Sequence, residues 1–334
     1  EFVPRTHYLN VNGGAQDFTY SVWKECADNP IYPQGGTWIF DRAGWCPGAA
    51  TDVHEFDISS LASPGGQVEL DYGVNGATLT EANYLVSNQL VTYGPYTYAL
   101  DAALERIARP NASDVEFERI NPVCSNPTVW VRNTGATPIT SLRIEYRVQG
   151  NAQAQTSDWA GNIPPNGLEE IVLPLNDLGF WSTSASEKIF EARIKQVNGQ
   201  ADGNPVNDVA TSTFQLAAVY PNNLEYVLEI RTNNNGGDYS YRIKDAAGTI
   251  LLSRNNMTSN TIYKDALDFG PGCYTLEFFD AGNDGLSFWF FPEYGTGYLR
   301  MSRKVSTILV PVKVFNPDFG SGVKYDFVIE GTVP

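Results

Sequence analysis

The sequence predicts an all-β chain: a partial jelly roll followed by two β-sandwich domains, with a short helical connector after the first unit. Three observations carry this. Apolar and polar residues alternate at period two through most of the chain, and Gly, Pro and Asn turns interrupt the alternation at short intervals. Helical spacing is confined to one segment. At 334 residues the chain exceeds one small core, so several domains are expected.

The runs fall in order. Residues 1–94 contain five strand-like stretches: THYLNVNG, DFTYSVWKE, VHEFDIS, GQVELDYGVNG and NYLVSNQLVTYG. In the first, Arg5, His7, Leu9 and Val11 alternate against Thr6, Tyr8 and Asn10. Residues 95–111 form the connector, where Leu100, Ala103, Leu104 and Ile107 fall at helical spacing and Pro110 ends the pattern. Residues 112–217 read as an immunoglobulin- or fibronectin-like sandwich, with Leu142, Ile144, Tyr146 and Val148 facing one way and Arg143, Glu145, Arg147 and Gln149 the other. Residues 218–334 repeat the alternation in LEYVLEIRT, YSYRIKDAAG, GCYTLEFFDAGNDG and VKYDFVIEG, predicting a second sandwich or jelly-roll module.

Composition removes several function classes. Hydrophobic residues make up 42% of the chain, enough for real cores. A net charge of −16 opposes nucleic-acid binding, which demands clustered Lys and Arg. No run approaches the roughly 18 apolar residues of a membrane-spanning helix. Two histidines and no CxxC pair leave little for zinc, and with two methionines little for a copper monooxygenase. The Asn111 and Asn256 sequons are permissive only. The chain opens inside a strand and ends at EGTVP. Upstream sequence, cleaved off or carried on another chain, is therefore expected, as is C-terminal trimming of a type IX secretion domain.

Two motifs point to a family. EFVPRTHYLNVNG, at residues 1–13, and DRAGWCPGAA, at residues 41–50, resemble the second half of the peptide-N-glycosidase F family. That family carries a Glu-aromatic-X-X-Arg-Thr-His strand, then a cysteine, then Asp-Arg-Ala-Gly-Trp-Cys-Pro-Gly. The resemblance covers residues 1–94. It implies two adjacent jelly rolls with a glycan site between them, and hydrolysis of the amide joining N-acetylglucosamine to asparagine. By position it assigns Glu1 to the family's active-site glutamate, and Arg42 and Trp45 to its substrate cleft. It also implies a Cys26–Cys46 disulfide that holds the DRAGW loop. Two departures matter: Val3 stands where the family has a cysteine, and the principal catalytic aspartate belongs to the other jelly roll. The amidase assignment thus concerns a complete protein, with this chain alone expected to be inactive.

Read from the residues alone, Asp41 and Arg42 equally suit a local ion pair at a turn, and Trp45 suits core packing beside a disulfide. Cys124 and Cys273 read as small buried residues rather than halves of an interdomain bridge. His7 reads as a hydrogen-bonded core or cleft residue rather than a metal ligand. DAGNDGLSFW has the oxygen-rich look of a calcium loop, with Asp280, Asn283 and Asp284 as candidate ligands, although Asp-Gly turns between strands are common. No cofactor is required by the chemistry. The expected partners are an N-glycosylated peptide or protein and the upstream jelly-roll segment, with no nucleic acid and no membrane span. The expected location is secreted or at the cell surface, after export through the outer membrane. The alternative function is a non-catalytic surface or secretion-associated protein that binds glycan or protein.

Overall fold

The computed structural model describes residues 3–76, 85–151, 153–176 and 178–331. Among the described residues its regular secondary structure is almost wholly strand, with short 3-10 turns and irregular loops between the strands. Two compact units are present, residues 1–29 with 33–91 and residues 30–32 with 92–334.

The first unit holds β1 (Thr6–Val11), β2 (Phe18–Ser21), β3 (Trp23–Lys24), β4 (Arg42–Ala43) and β5 (Leu70–Val74). β1 is the middle strand of an antiparallel sheet of order β2-β1-β5, and it buries His7, Leu9 and Val11 on alternate positions. β3 and β4 form a separate ribbon. Two expected strands are missing. VHEFDIS, residues 53–59, pairs with no strand, although Phe56 and Ile58 are half-buried. Phe56 stacks on Phe18 with ring centroids 4.9 Å apart and His54 lies 4.5 Å from Tyr20, so side-chain packing on β2 satisfies the alternation without a backbone ladder. The described part of NYLVSNQLVTYG, residues 85–94, is exposed and forms no strand either.

The second unit contains two sandwiches with separate cores. The first consists of β6 (Ala102–Arg109), β7 (Thr128–Asn133), β8 (Ile139–Val148), β9 (Gln155–Ile163), β10 (Leu168–Val172), β11 (Ile189–Val197) and β12 (Val209–Thr213). A sheet of order β10-β7-β6 faces one of order β12-β11-β8-β9, the layering of an immunoglobulin- or fibronectin-type sandwich. On β8, Leu142, Ile144, Tyr146 and Val148 point into this core.

The helical connector is corrected by β6. Its residues pair with β7, and the register shifts between Leu104 and Arg106 and again between Ile107 and Arg109. Each bulge inserts one residue and moves the buried side chains out of period two. Leu104 and Ile107 therefore lie three apart on one buried face, a spacing that imitates a helix. A helical turn comes later, at Val115–Ile120, where Asp114 caps it by accepting from the Glu116 N–H at 3.0 Å.

The second sandwich consists of β13 (Ala218–Pro221), β14 (Tyr226–Arg231), β15 (Tyr239–Asp245), β16 (Ile250–Arg254), β17 (Ile262–Ala266), β18 (Gly272–Asp280), β19 (Tyr298–Val305), β20 (Ile308–Val314) and β21 (Gly322–Glu330). Its sheets have orders β13-β21-β18-β15-β16 and β17-β14-β19-β20, and only the β13–β21 pair is parallel.

The reading of Cys124 and Cys273 as separate buried thiols is also overturned. They form a disulfide that ties the first sandwich to the start of β18, with Cα atoms 5.7 Å apart. The two cysteines sit 149 residues apart on segments of different sandwiches and meet in the first core, so no local pattern could have paired them. A buried ion pair reinforces the junction: Arg109 Nη2 donates to Asp326 Oδ2 at 2.8 Å. That carboxylate also accepts from the Ser125 and Thr275 hydroxyls, both at 2.8 Å. Among the described residues no helix is long and apolar enough to cross a membrane.

Candidate functional site

The β3–β4 ribbon sets Trp23 opposite Ala43 and Lys24 opposite Arg42. So short a ladder cannot hold itself, and other ties close it. A disulfide joins Cys26 and Cys46, both buried, with Cα atoms 5.4 Å apart. Gly44, at φ +79°, occupies the left-handed region that glycine enters without steric penalty. There its N–H donates to the Val22 carbonyl at 2.6 Å and its carbonyl accepts from the Asp52 N–H at 2.9 Å. Asn29 donates Nδ2 to the Pro47 carbonyl at 2.8 Å, and Lys24 pairs with Asp52 at 2.9 Å.

Arg42 and Trp45 emerge from this clamp together. The Arg42 guanidinium carbon lies 5.2 Å from the centroid of the Trp45 ring, within cation–π range. Arg42 Nη2 donates to the Thr37 carbonyl at 3.0 Å, which orients the fork. Its Nε is buried without a hydrogen-bond partner. Trp45 remains 45% exposed even though Cys46 beside it is buried, so its ring is a surface feature and not core packing. Nor does Asp41 pair with Arg42 among the described residues; its Oδ2 accepts from Trp23 Nε1 at 3.2 Å instead. The arrangement offers a flat apolar face next to a planar cation, which suits the face of a sugar ring and its oxygens. Glu1 lies outside the described residues.

A second group on this unit carries less evident signals in the sequence. His7 is buried, and its Nδ1 lies 2.5 Å from the Tyr72 hydroxyl of β5. Burial, and then the nearby His54, hold the His7 imidazolium below its ordinary pKa, so the ring is neutral at pH 7. Tyr20 of β2 sits between the histidines, 5.7 Å from His7 and 4.5 Å from His54. His7 and Tyr72 are 65 residues apart, and only the antiparallel β1–β5 register brings them together.

The loop after β18 gathers two of its expected ligands in a buried setting. Asp280 Oδ1 accepts from the Gly282 N–H at 2.9 Å, while Oδ2 accepts from the N–H groups of Asp284 and Gly285 at 2.9 and 2.6 Å. Its carboxylate thus closes its own turn. A side chain at Gly282 would meet Asp238 Oδ2 at 3.1 Å and Asp280 Oδ1 at 3.2 Å, so glycine lets these two acids crowd the loop. Burial pushes Asp280 up to about 7; burial and then Asp238 push Asp284 up to about 6. Asn283 takes up the turn's left-handed position at φ +63°. Among the described residues, the group whose His, Cys, Asp or Glu donor atoms all lie within 4.8 Å of one another is Cys124, Cys273 and Asp326. Its two sulfurs are bonded to each other.

The fold and this site define a disulfide-stapled, multi-body all-β protein whose leading unit displays an arginine–tryptophan pair. Residues 1–91 match the family model described as peptide-N-glycosidase F, C terminal. The match is confined to the first unit of the chain. A curated relative, peptide-N(4)-(N-acetyl-beta-D-glucosaminyl)asparagine amidase F of Elizabethkingia miricola, is 29% identical over 109 residues, covering 28% of this chain and 30% of that enzyme. The chain therefore spans less than a third of that relative's length. Among solved structures, the calcium-binding domain CBD12 of CALX1.1 is 13% identical with a TM-score of 0.20, over 46% of this chain and 74% of that one. The BSP domain of a biofilm-associated protein is 8% identical with a TM-score of 0.17, over 64% and 28%. At such scores no shared fold is defined.

Proposed function

We propose that this chain is part of a secreted peptide-N4-(N-acetyl-beta-glucosaminyl)asparagine amidase-like protein acting on N-glycoproteins. The observation that carries the proposal is the Arg42–Trp45 stack held on the Cys26–Cys46 clamp, inside the unit that matches the family. In the reaction, water adds to the asparagine side-chain carbonyl and the carbon–nitrogen bond breaks, leaving aspartate and a glycosylamine. A carboxylate must take the water's proton, and a donor must steady the oxygen that gains charge. Glu1 is the candidate for positioning that water. Arg42 supplies donors to substrate oxygens, and Trp45 supplies the platform. By the family resemblance, the main acid–base aspartate is assigned to the other jelly roll. One second reading, favoured by the exposed Trp45 ring beneath Arg42, is a non-catalytic surface protein that uses this unit for glycan binding.

The test is deamidation of an N-glycopeptide by the natural full-length protein, followed by mass spectrometry. Arg42→Ala is expected to lower kcat/KM roughly 10- to 100-fold, the loss of one charge-assisted contact, with an unchanged melt. Absence of product despite retained glycopeptide binding would move the assignment to the second reading. Two disulfides, with no free cysteine among the described residues, fit an oxidising compartment. We extend this to export through the outer membrane by type IX secretion. Calcium at Asp280, Asn283 and Asp284 is a further proposal, supported by the two buried acids sharing one loop.

A further inference from the structure

We propose that the first sandwich of the second unit binds a calcium ion between Asp202 and Asp208, with the Asn207 side-chain oxygen as a third ligand. Three separate stretches converge there: Asp101 immediately before β6, Asp202 in the loop after β11, and Asn207 with Asp208 immediately before β12. The Leu104 N–H donates to the Asn207 carbonyl at 3.0 Å and the Gly203 N–H to the Leu100 carbonyl at 3.0 Å, fastening the loop to the β6 strand.

The polar accounting of this cluster does not close. Asp208 is 7% exposed, and its Oδ1 is buried with no hydrogen-bond partner. Asn207 Oδ1 is likewise buried without a donor. An orphaned carboxylate oxygen beside other acids is costly, because burial removes the water that would solvate it. Around Asp208 the acids Asp202 and Asp101 repel, and Arg193 is the cation that opposes them. Three carboxylates facing one guanidinium leave an excess of negative charge, with two acceptor atoms unused.

The remaining contacts give the cluster its orientation. Asn207 donates Nδ2 to Asp101 Oδ1 at 3.1 Å and to Thr134 Oγ1 at 3.4 Å, which fixes the opposite end of its amide. Asp202 is anchored by the Ala102 N–H on Oδ1 at 2.9 Å and the Asn204 N–H on Oδ2 at 2.8 Å, and each oxygen keeps a lone pair. The three carboxylates do not all come within 4.8 Å of one another. Asp101 is accordingly a positioning residue that aims Asn207, as outer carboxylates do for metal ligands. An all-oxygen set of mixed carboxylate and amide, irregular and completed by water, suits calcium. Magnesium demands a near-ideal octahedron and sheds its water reluctantly.

The experiment is calorimetric titration of calcium chloride into the chelator-treated full chain at pH 7.5, with magnesium chloride in parallel. Calcium is expected to bind with a dissociation constant of about 10⁻⁵ to 10⁻³ M and to raise the melting temperature, with magnesium at least about tenfold weaker. Asp208→Asn should weaken calcium at least about tenfold, whereas Asp284→Asn, in the loop after β18, should leave this site's binding intact. Asn207→Ala, with folding checked by circular dichroism, gives the same reading if Asp208→Asn does not fold. No calcium binding up to about 5 mM, or affinity unchanged in these variants and lost in Asp284→Asn, overturns the proposal.

Discussion

Trp45 keeps nearly half its surface open while Cys46 beside it is sealed in, and Arg42 lies across the exposed ring. The DRAGW motif could be read as a packed turn or as a ligand surface, and this geometry favours the surface. Other residues store charge under strain of a different kind. Asp284, ordinarily near 3.8, titrates at about 6 because burial and then Asp238 disfavour its anion. Between about pH 4 and pH 6 the folded protein holds a proton that the unfolded chain has released. The resulting stability is complete below that window and is lost as pH rises through about 6. Asp280 and Asp208, raised to about 7 and about 6, act in the same direction. These three acids favour the folded, chelated protein at pH 5 over pH 7.5, while His7, held below its ordinary value, acts in the opposite direction. Asp284→Asn should raise the melting temperature at pH 7.5 by roughly 2–4 °C and change it little at pH 5, measured by calorimetry. Equal shifts at both pH values would contradict the assignment.

At the scale of elements, the β3–β4 ribbon depends on its clamp more than on its ladder. In the chain-entropy account a cross-link over 20 residues contributes about 3 kcal/mol. Replacing Cys26 and Cys46 by serine together should cost about that much and speed amide exchange at Gly44 and Asp52, whose N–H groups close the loop. Protection unchanged at both amides would show that the loop holds without the bridge. The β6 strand shows how an element can be misread. Its two bulges place Leu104 and Ile107 on one face three residues apart, and a single sequence cannot distinguish that from a helical turn.

Across the second unit, two separate cores are joined by a covalent bond and a buried ion pair. The Cys124–Cys273 bridge spans 149 residues and contributes about 5 kcal/mol by loop closure. The Arg119 guanidinium adds donors to the Phe319 and Gly322 carbonyls. The two sandwiches should therefore melt as one transition in the oxidised protein. Replacing both cysteines by alanine should split it into two. Arg109→Met should cost about 3 kcal/mol, at the low end for a broken buried pair, because Asp326 keeps its hydroxyl donors. A single unsplit transition in the cysteine-free variant would mean that the ion pair and packing suffice.

The sequence by itself determined the all-β class, the inward face of strands such as β8, and the likeness of the first unit to the peptide-N-glycosidase F C-terminal model. Those are local signals, set by side-chain period and short motifs that the chain carries within one element. Tertiary structure alone decided that Cys124 meets Cys273, that His7 meets Tyr72, and that Asp101, Asp202 and Asp208 crowd one corner. The first two join residues 149 and 65 positions apart, and the third brings Asp101 to the stretch that holds Asp202 and Asp208, through sheet register and the packing of whole layers; no pattern within one strand encodes a partner on another.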